Sequence, residues 1–122
     1  MKRVLIIDDA ATVRLYHRLI LEGAGYQTDE AINGIEALEK VLQSSFDLLL
    51  VDVNMAKLDG HGFLRQLRRL DVPQMPAIMI STEASEDDRR LALESGANLY
   101  LVKPLKPDQL LASAAILLGE AE

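Results

Sequence analysis

Short apolar runs recur along this chain, and polar residues stand at the ends of most of them. The runs occupy residues 4–7, 48–53, 78–80 and 99–102, and only Asp52 interrupts the second one. Because consecutive residues are apolar, each run predicts a strand that is covered on both faces of a sheet. Residues 26–31 are interrupted by Gln27, Asp29 and Glu30, which predicts an edge strand.

Helical periodicity fills the segments between these strands, because apolar residues return there every three or four positions. Four such apolar faces consist of Val13, Tyr16 and Ile20; Ala37, Leu38, Val41 and Leu42; Phe63, Leu67 and Leu70; and Leu110, Ala114, Leu117 and Leu118. Asn33 with Glu36, and Ser85 with Asp88, have the spacing of helix N-caps, so a further helix is expected to begin near residue 85. Residues 119–122 are expected to fray.

Five alternations of strand and helix predict one α/β domain over residues 1–122. Such βα units form a doubly wound parallel sheet with right-handed crossovers and helices on both faces. Ligands of these folds bind at the carboxyl ends of the strands, near the point where the strand order reverses. The polar residues expected at that edge are Asp8 and Asp9 after the first strand, Asp52 in the third, Ser81 after the fourth and Lys103 after the fifth.

Composition narrows the classes of partner. The chain has 122 residues, of which 49% are hydrophobic and 26% charged, and its formal net charge is −6. That charge repels phosphate backbones, and no basic stripe is interleaved with aromatic residues, which argues against nucleic-acid binding.

No run approaches the roughly 20 apolar residues of a membrane span. Residues 1–7 lead into acidic residues without a cleavage site, so they are interpreted as a strand and not as a signal peptide. The absence of cysteine fits a reducing compartment, and the cytoplasm is the expected location.

Three carboxylates at one edge of a sheet repel one another unless a cation neutralises them. Asp8, Asp9 and Asp52 offer the oxygen ligands that Mg²⁺ prefers, and a Mg²⁺ site leaves room for phosphate oxygens. Lys103 adds a positive charge and Ser81 a hydroxyl donor for a phosphoryl group. Asp52 is therefore the expected nucleophile, forming an aspartyl phosphate.

Each of these residues has a plainer interpretation when it is taken alone. An aspartate at a strand end is usually a helix cap or turn residue, Lys103 a solvated lysine and Ser81 a turn residue. Only their convergence at one edge favours the chemical interpretation. His17 is expected to be a partly packed helix residue and His61 a loop residue, because isolated histidines without matching spacing do not make a metal site.

Four motifs, LIIDD, LLLVDVNMAKLDG, IMIST and LVKP, resemble in order and spacing the receiver domain of response regulators in two-component signalling. The resemblance covers essentially the whole chain and is to the chemotaxis-type single-domain receiver. It implies a flavodoxin-like, five-stranded parallel sheet in the order 2-1-3-4-5.

The resemblance also implies a role for each site residue. Asp52 matches the phosphoacceptor and contributes to the Mg²⁺ site, where Asp9 is expected to bind directly and Asp8 largely through water. Asn54 would offer its backbone carbonyl to the metal. The side chains of Asn54 and Glu83 would flank the path of the attacking water and so tune the phosphoryl lifetime.

The remaining matches concern the switch. Ser81 matches the hydroxyl that moves towards the phosphoryl group, Tyr100 the aromatic residue whose rotamer follows it, and Lys103 the lysine of the fifth strand. The Lys103-Pro104 bond resembles one that is usually cis in the family. The fourth helix, fifth strand and fifth helix would form the surface that a downstream protein reads.

Two positions depart from the family pattern. Ala56 stands where a proline often follows the phosphoacceptor by four residues, which is expected to leave the loop after the third strand less rigid. Thr82 stands where Ala or Gly is common, and its bulk is expected to narrow access for a phosphatase or a small phosphodonor.

The expected function is a phosphorylation-activated switch. Its expected partners are a histidine kinase or phosphotransfer protein and a downstream target protein, with a phosphatase as a further candidate. No enzyme activity is expected beyond Mg²⁺-dependent self-phosphorylation and autodephosphorylation, and a monomer or weak dimer is expected. Because no output domain follows the last predicted helix, a stand-alone receiver of chemotaxis or another phosphorelay is the simplest interpretation, and a truncated regulator is the alternative.

Two other classes of function stay open. A Mg²⁺-dependent phosphohydrolase also uses an aspartate nucleophile, but it normally needs a carboxylate two residues later, where this chain has Asn54. A phosphorylation-independent interaction module would have lost the acidic pair, the acceptor or the lysine, and this chain retains all of them.

Overall fold

The computed structural model describes residues 1–120 and contains the predicted alternation of strands and helices. In chain order the elements are β1 Arg3–Ile7, α1 Ala11–Gly23, β2 Gln27–Ala31, α2 Gly34–Gln43, β3 Leu48–Asp52, α3 Gly60–Arg69, β4 Ala77–Ser81, α4 Glu86–Ser95, β5 Leu99–Val102 and α5 Pro107–Leu117. The fraying expected at residues 119–122 lies outside the described residues at positions 121 and 122. Glu120 is still tied to α5, because its backbone amide donates to the carbonyl of Ala115 at 2.8 Å.

The five strands form one parallel sheet in the order β2-β1-β3-β4-β5, which confirms the expected order. The polar strand β2 lies at one edge, as its interrupted pattern predicted. The chain passes from β1 outwards to β2 and then returns to the other side of β1 to form β3. The strand order therefore reverses between β1 and β3, and the carboxyl ends of these two strands flank the expected ligand position.

Two apolar layers hold the sheet between the helices. Every residue of β3 and of β4 is buried, which explains their continuous apolar sequences. Alternate strand residues pack against α2, α3 and α4 on one face, and the others pack against α1 and α5 on the opposite face. The doubly wound arrangement is thus confirmed. Across residues 1–120, no helix combines the length and the apolar character needed to cross a membrane.

Hydrogen bonds confirm both predicted N-caps. The side chain of Asn33 accepts from the amide of Glu36 at 2.8 Å, and Ser85 Oγ accepts from the amide of Asp88 at 3.1 Å. The expectation of a loop at His61 is wrong, because His61 lies in the first turn of α3. Its Nδ1 is 3.2 Å from the hydroxyl of Ser95 on α4, so this histidine links two helices.

The buried face of α1 differs from the predicted one. Tyr16 was expected to face the core, but it is 42% exposed, whereas His17 is only 2% exposed and Leu21 is fully buried. The hydroxyl of Tyr16 donates to the carbonyl of Leu105 at 2.8 Å, which keeps the ring at the margin of the helix. The helix is therefore rotated so that His17 packs inward, more deeply than its sequence position indicated.

Candidate functional site

Three carboxylates meet at the carboxyl edge of the sheet. Asp8 follows β1 directly, and Asp52 is the last residue of β3. The pairing of Ile7 with Val51 brings these two strand ends level. Oxygen atoms of Asp8, Asp9 and Asp52 lie within 4.8 Å of one another, with Asp8 and Asp52 buried and Asp9 exposed. The arrangement concentrates negative charge and suits a hard cation, which can approach from solvent through the exposed carboxylate of Asp9.

Lys103 reaches this cluster from β5. Its backbone amide donates to the carbonyl of Ser81 at 2.8 Å, which fixes the start of its side chain beside the end of β4. Its Nζ lies 2.9 Å from Oδ1 of Asp52 and 3.2 Å from Oδ2 of Asp8. Because β4 separates β5 from β3, only a long side chain could make these contacts. The predicted convergence of aspartates and lysine is present in the structure.

The single lysine does not neutralise the cluster. Burial raises the pKa of Asp52, and the negative charges of Asp8 and Asp9 raise it further. The hydrogen bond and charge of Lys103 lower it, but the pKa stays above its ordinary value. Burial lowers the pKa of Lys103, but the hydrogen bond and charge of Asp52, together with Asp8, raise it above its ordinary value. The lysine is therefore firmly protonated, while the carboxylates still favour a further positive charge.

Ser81 and Tyr100 are joined through the loop after β4. Ser81, the last residue of β4, is buried and accepts a hydrogen bond from the amide of Glu83 at 3.1 Å. Tyr100 on β5 is also buried, and its hydroxyl donates to the carbonyl of Glu83 at 2.5 Å. Both predicted switch residues thus contact the backbone of one residue. The side chains of Glu83 and Thr82 themselves are exposed at the edge of the site.

The loop between β3 and α3 carries Asn54 and Ala56, both of which are exposed. It is closed by the amide of Gly60, which donates to the carbonyl of Val53 at 2.9 Å. The carbonyl of Ala56 accepts from the amide two residues later, at Leu58, at 2.9 Å. The expectation that Ala56 loosens this loop stays a prediction.

Arg14 is a site residue that the sequence interpretation missed. Its Nη1 donates to the backbone carbonyl of Asp8 at 2.7 Å, and its Nε donates to Oε1 of Glu30 at 2.7 Å. One signal was available, because a basic residue near the N-terminus of a helix opposes the helix dipole. Such a residue is expected to have a compensating partner, and here the partners are Glu30 and a carbonyl of the site.

Solved structures with this architecture cover nearly the whole chain. The receiver domain of the Francisella response regulator 1452 is 30% identical with a TM-score of 0.92, and the alignment covers 98% of each chain. The chemotaxis protein CheY4 of Vibrio cholerae is 34% identical with a TM-score of 0.90, covering 97% of this chain and 99% of that one. The shared fold therefore places this chain in the class of CheY-like signalling domains.

The family model described as "Response regulator receiver domain" matches residues 4–115, and the chain belongs to this family. Receiver domains are phosphorylation-dependent switches of two-component response regulators rather than turnover enzymes. The predicted family is confirmed.

The curated relatives are longer proteins. The gliding motility regulatory protein of Myxococcus xanthus is 39% identical over 113 residues, which are 92% of this chain and 14% of that protein. The transcriptional regulatory protein ResD of Bacillus subtilis is 36% identical over 119 residues, which are 98% of this chain and 49% of that protein. The chain thus spans about half, or less, of the length of these relatives.

Proposed function

We propose that this domain accepts a phosphoryl group on Asp52 from a histidine kinase or a phosphotransfer protein. The observation that carries the proposal is the position of Lys103 Nζ, 2.9 Å from Asp52 and 3.2 Å from Asp8, at the edge of a three-carboxylate cluster. A protonated amine beside a buried carboxylate is suited to offset the charge of an incoming phosphoryl group.

The transfer exchanges one bond to phosphorus for another. An Oδ atom of Asp52 attacks the phosphorus of a phosphohistidine, an O–P bond forms, and the N–P bond breaks. The electron pair of that bond leaves with the imidazole, which takes up a proton. In autodephosphorylation, water attacks the phosphorus and the bond to Asp52 breaks, so that inorganic phosphate leaves and the carboxylate returns.

The residues present fit a Mg²⁺ ion. Asp8, Asp9 and Asp52, with the backbone carbonyl of Asn54, are the groups that would hold it. The raised pKa of Asp52 supports this assignment, since the buried carboxylate and its two acidic neighbours still favour added positive charge. When bound, the metal supplies charge neutralisation for the carboxylates and the phosphoryl oxygens.

The proposed readout is a change in the surface formed by α4, β5 and α5. Ser81 would turn its hydroxyl towards a phosphoryl oxygen and give up the hydrogen bond from the Glu83 amide. Tyr100 shares the backbone of Glu83, so its hydrogen bond would respond to the same movement. Asn54, Thr82 and Glu83, all exposed at this edge, are proposed to tune the phosphoryl lifetime.

The proposed partners are the phosphodonor, a downstream target protein and a phosphatase, with the domain in the cytoplasm as a monomer or weak dimer. We further propose that residues 1–122 form one receiver domain. The similarity to CheY4, a chemotaxis protein, supports chemotaxis as one candidate pathway.

The first turn of α4 carries Glu86, Asp87 and Asp88, so a target that docks there would need a basic surface.

Incubation with acetyl phosphate and Mg²⁺, followed by intact mass measurement, tests the proposal. The wild type should gain one phosphoryl group, and Asp52→Asn should gain none. Asp71→Asn is the matched control, because Asp71 is an exposed aspartate outside the cluster, and it should gain one group. Phosphorylation of Asp52→Asn would contradict the proposal, as would a wild type that accepts no phosphoryl group from acetyl phosphate or from any histidine kinase.

A further inference from the structure

Arg14 contacts the backbone that presents the acidic cluster without belonging to the cluster. It lies near the start of α1, six residues after Asp8, and its side chain is 14% exposed. Through Nη1 it holds the carbonyl of Asp8, and through Nε it holds Glu30, both at 2.7 Å. The guanidinium therefore links the loop after β1 to the end of the edge strand β2.

The carbonyl of Asp8 lies where the β1–β2 ladder stops. The amide of Asp8 still donates to the carbonyl of Ala31 at 3.0 Å. One further step of a parallel ladder would bring the amide of Asn33 to the carbonyl of Asp8. Asn33 instead caps α2, and within residues 1–120 that ladder bond is not formed. Arg14 supplies the missing donor to a carbonyl that would otherwise lose its partner.

The same carbonyl belongs to the peptide plane that joins Asp8 to Asp9. The carboxylate of Asp8 is held independently, by the amide of Ala10 at 2.9 Å and by Lys103. Asp9 is exposed, and among the described residues its carboxylate makes no hydrogen bond or ion pair. No side-chain contact within residues 1–120 fixes the Asp9 carboxylate, so its direction depends on the backbone around it, which includes the Asp8–Asp9 peptide.

Glu30 allows a guanidinium to lie close to a cation site. Its two carboxylate oxygens accept from Arg14 at 2.7 Å and from Arg18 at 2.9 Å. Burial raises the pKa of Glu30, but the hydrogen bonds and charges of the two arginines outweigh it and hold the pKa below its ordinary value. The carboxylate is thus ionised at neutral pH and offsets part of the charge of Arg14, while Arg18 also lies 3.8 Å from Glu22.

We infer that Arg14 is a positioning residue for Mg²⁺ binding, because it fixes the Asp8–Asp9 peptide so that the carboxylate of Asp9 faces Asp8 and Asp52. The inference rests on the proposed function, in which these three carboxylates hold the metal. Residues that orient metal ligands without touching the metal typically contribute about 10–100-fold to metal affinity.

Calorimetric titration of the unphosphorylated protein with Mg²⁺ tests the inference in four proteins: wild type, Arg14→Gln, Arg14→Lys and Arg18→Gln. Arg18→Gln is the matched control, since Arg18 lies on the same helix and binds the same Glu30, and its hydrogen bonds do not include Asp8. We expect Arg14→Gln to weaken Mg²⁺ binding about tenfold, Arg14→Lys to weaken it less, and Arg18→Gln to leave it within about twofold, as for a partly exposed ion pair.

Two further readouts separate positioning from general stability. Saturating Mg²⁺ should return the acetyl phosphate-dependent phosphorylation rate of Arg14→Gln to near the wild-type value. Amide exchange at Asp9 should be faster in Arg14→Gln than in Arg18→Gln. A residue with a merely structural role would lower the melting temperature without changing the Mg²⁺ affinity, and that result would overturn the inference.

The possible failures can be told apart. Unchanged Mg²⁺ affinity in a folded Arg14→Gln overturns the inference alone, whereas a wild type that binds no Mg²⁺ overturns the proposed function and the inference with it. If Arg14→Gln does not fold, Arg14→Lys decides the question by the same titration. A lysine keeps the charge beside Glu30 but lacks the second arm that reaches Asp8, so wild-type affinity in that variant overturns the inference.

Discussion

The hydroxyl of Tyr100 donates to the backbone carbonyl of Glu83 at 2.5 Å, and this hydrogen bond ties β5 to the loop that follows β4. The amide of the same residue donates to Ser81 Oγ at 3.1 Å. One peptide segment is therefore held from both sides by the two proposed switch side chains. A movement of Ser81 towards Asp52 would free the Glu83 amide and so alter the support of the Tyr100 hydroxyl.

Removal of this hydroxyl is expected to destabilise the domain. Tyr100 is only 6% exposed, so Tyr100→Phe leaves the carbonyl of Glu83 without this partner close to a buried ring. We expect the free energy of unfolding to fall by about 0.5–1.5 kcal/mol, the usual net contribution of one hydrogen bond. Urea unfolding followed by circular dichroism measures the change.

Tyr26→Phe is the matched control for this substitution. The hydroxyl of Tyr26 donates to the carboxylate of Glu120 at an exposed position, so its loss should change the unfolding free energy by less than about 0.5 kcal/mol. Equal losses of unfolding free energy in the two variants would show that the Tyr100 hydroxyl contributes no more to stability than an exposed hydroxyl.

The raised pKa of Asp52 predicts a pH-dependent stability. Burial is the main cause, and Asp8 and Asp9 add to it against the opposing effect of Lys103. The folded protein then binds the proton of this carboxyl more tightly than the unfolded chain does. Stability from this group is therefore lost as pH rises from about 4, the ordinary pKa of aspartate, through the higher pKa of the folded state. In Mg²⁺-free buffer, Asp52→Asn should be more stable than the wild type at pH 7, and the difference should shrink as the pH falls towards about 4.

Chemical unfolding at several pH values measures this difference, with Asp71→Asn, a substitution of an exposed aspartate outside the cluster, as the control. Mg²⁺ at about 100 times its Kd should stabilise the wild type by about 2.7 kcal/mol, and Asp52→Asn by less. A wild type that is more stable than Asp52→Asn at pH 7 without Mg²⁺ would contradict the assigned direction of the pKa.

The fold could be predicted from the sequence because buried strands require unbroken runs of apolar residues. Strands β3 and β4 are buried at every position, so their residues had to be apolar in succession, and the N-caps Asn33 and Ser85 marked where the intervening helices begin. The face of α1 was not accessible in the same way. Periodicity placed Tyr16 inside, but a hydroxyl that reaches the carbonyl of Leu105 lets the ring stay at the margin while His17 packs inward.

The sequence predicted the side chains that converge on the site. It did not predict Arg14, whose side chain binds a backbone carbonyl of the site. Parallel strands bring their carboxyl ends together, so Asp8, Asp52 and Lys103 could be expected at one edge. The contact of Arg14 with the carbonyl of Asp8 depends on where the ladder to β2 stops. That position follows from the capping of α2 by Asn33. The basic charge of Arg14 near the start of α1 indicates that it has a compensating partner, but it does not indicate that the partner is the carbonyl of Asp8.

Thr82→Ala is expected to speed the loss of the phosphoryl group. Thr82 is exposed and directly follows the buried Ser81, and its bulk is expected to narrow the approach of water or a phosphatase. Release of inorganic phosphate from the phosphorylated protein measures the rate. Thr28→Ala is the control, because Thr28 lies on β2 and its hydroxyl binds Glu22 away from the site. Unchanged phosphate release in Thr82→Ala would discard the idea that this residue limits access.

Gly60 holds the start of α3 directly against the backbone of Asp52, the proposed phosphoacceptor. A Cβ atom at this position would overlap the carbonyl oxygen of Asp52 and would lie 3.1 Å from Cα of Val53. The amide of Gly60 also donates to the carbonyl of Val53 at 2.9 Å, so neither backbone segment can withdraw without losing that bond. Gly60→Ala is expected to lower the unfolding free energy by about 1–3 kcal/mol.

Gly23→Ala separates crowding from a general intolerance of alanine. Gly23 is the last residue of α1, and a Cβ there would meet nothing within 4 Å, so this variant should be neutral or gain up to about 1 kcal/mol from helix propensity. Both variants are compared by urea unfolding and by their acetyl phosphate-dependent phosphorylation. Because crowding at Gly60 shifts the backbone of Asp52, only Gly60→Ala should be phosphorylated more slowly under conditions where both proteins are folded. Equal stability and equal phosphorylation in the two variants would show that α3 can move away from β3 without disturbing Asp52, the proposed acceptor.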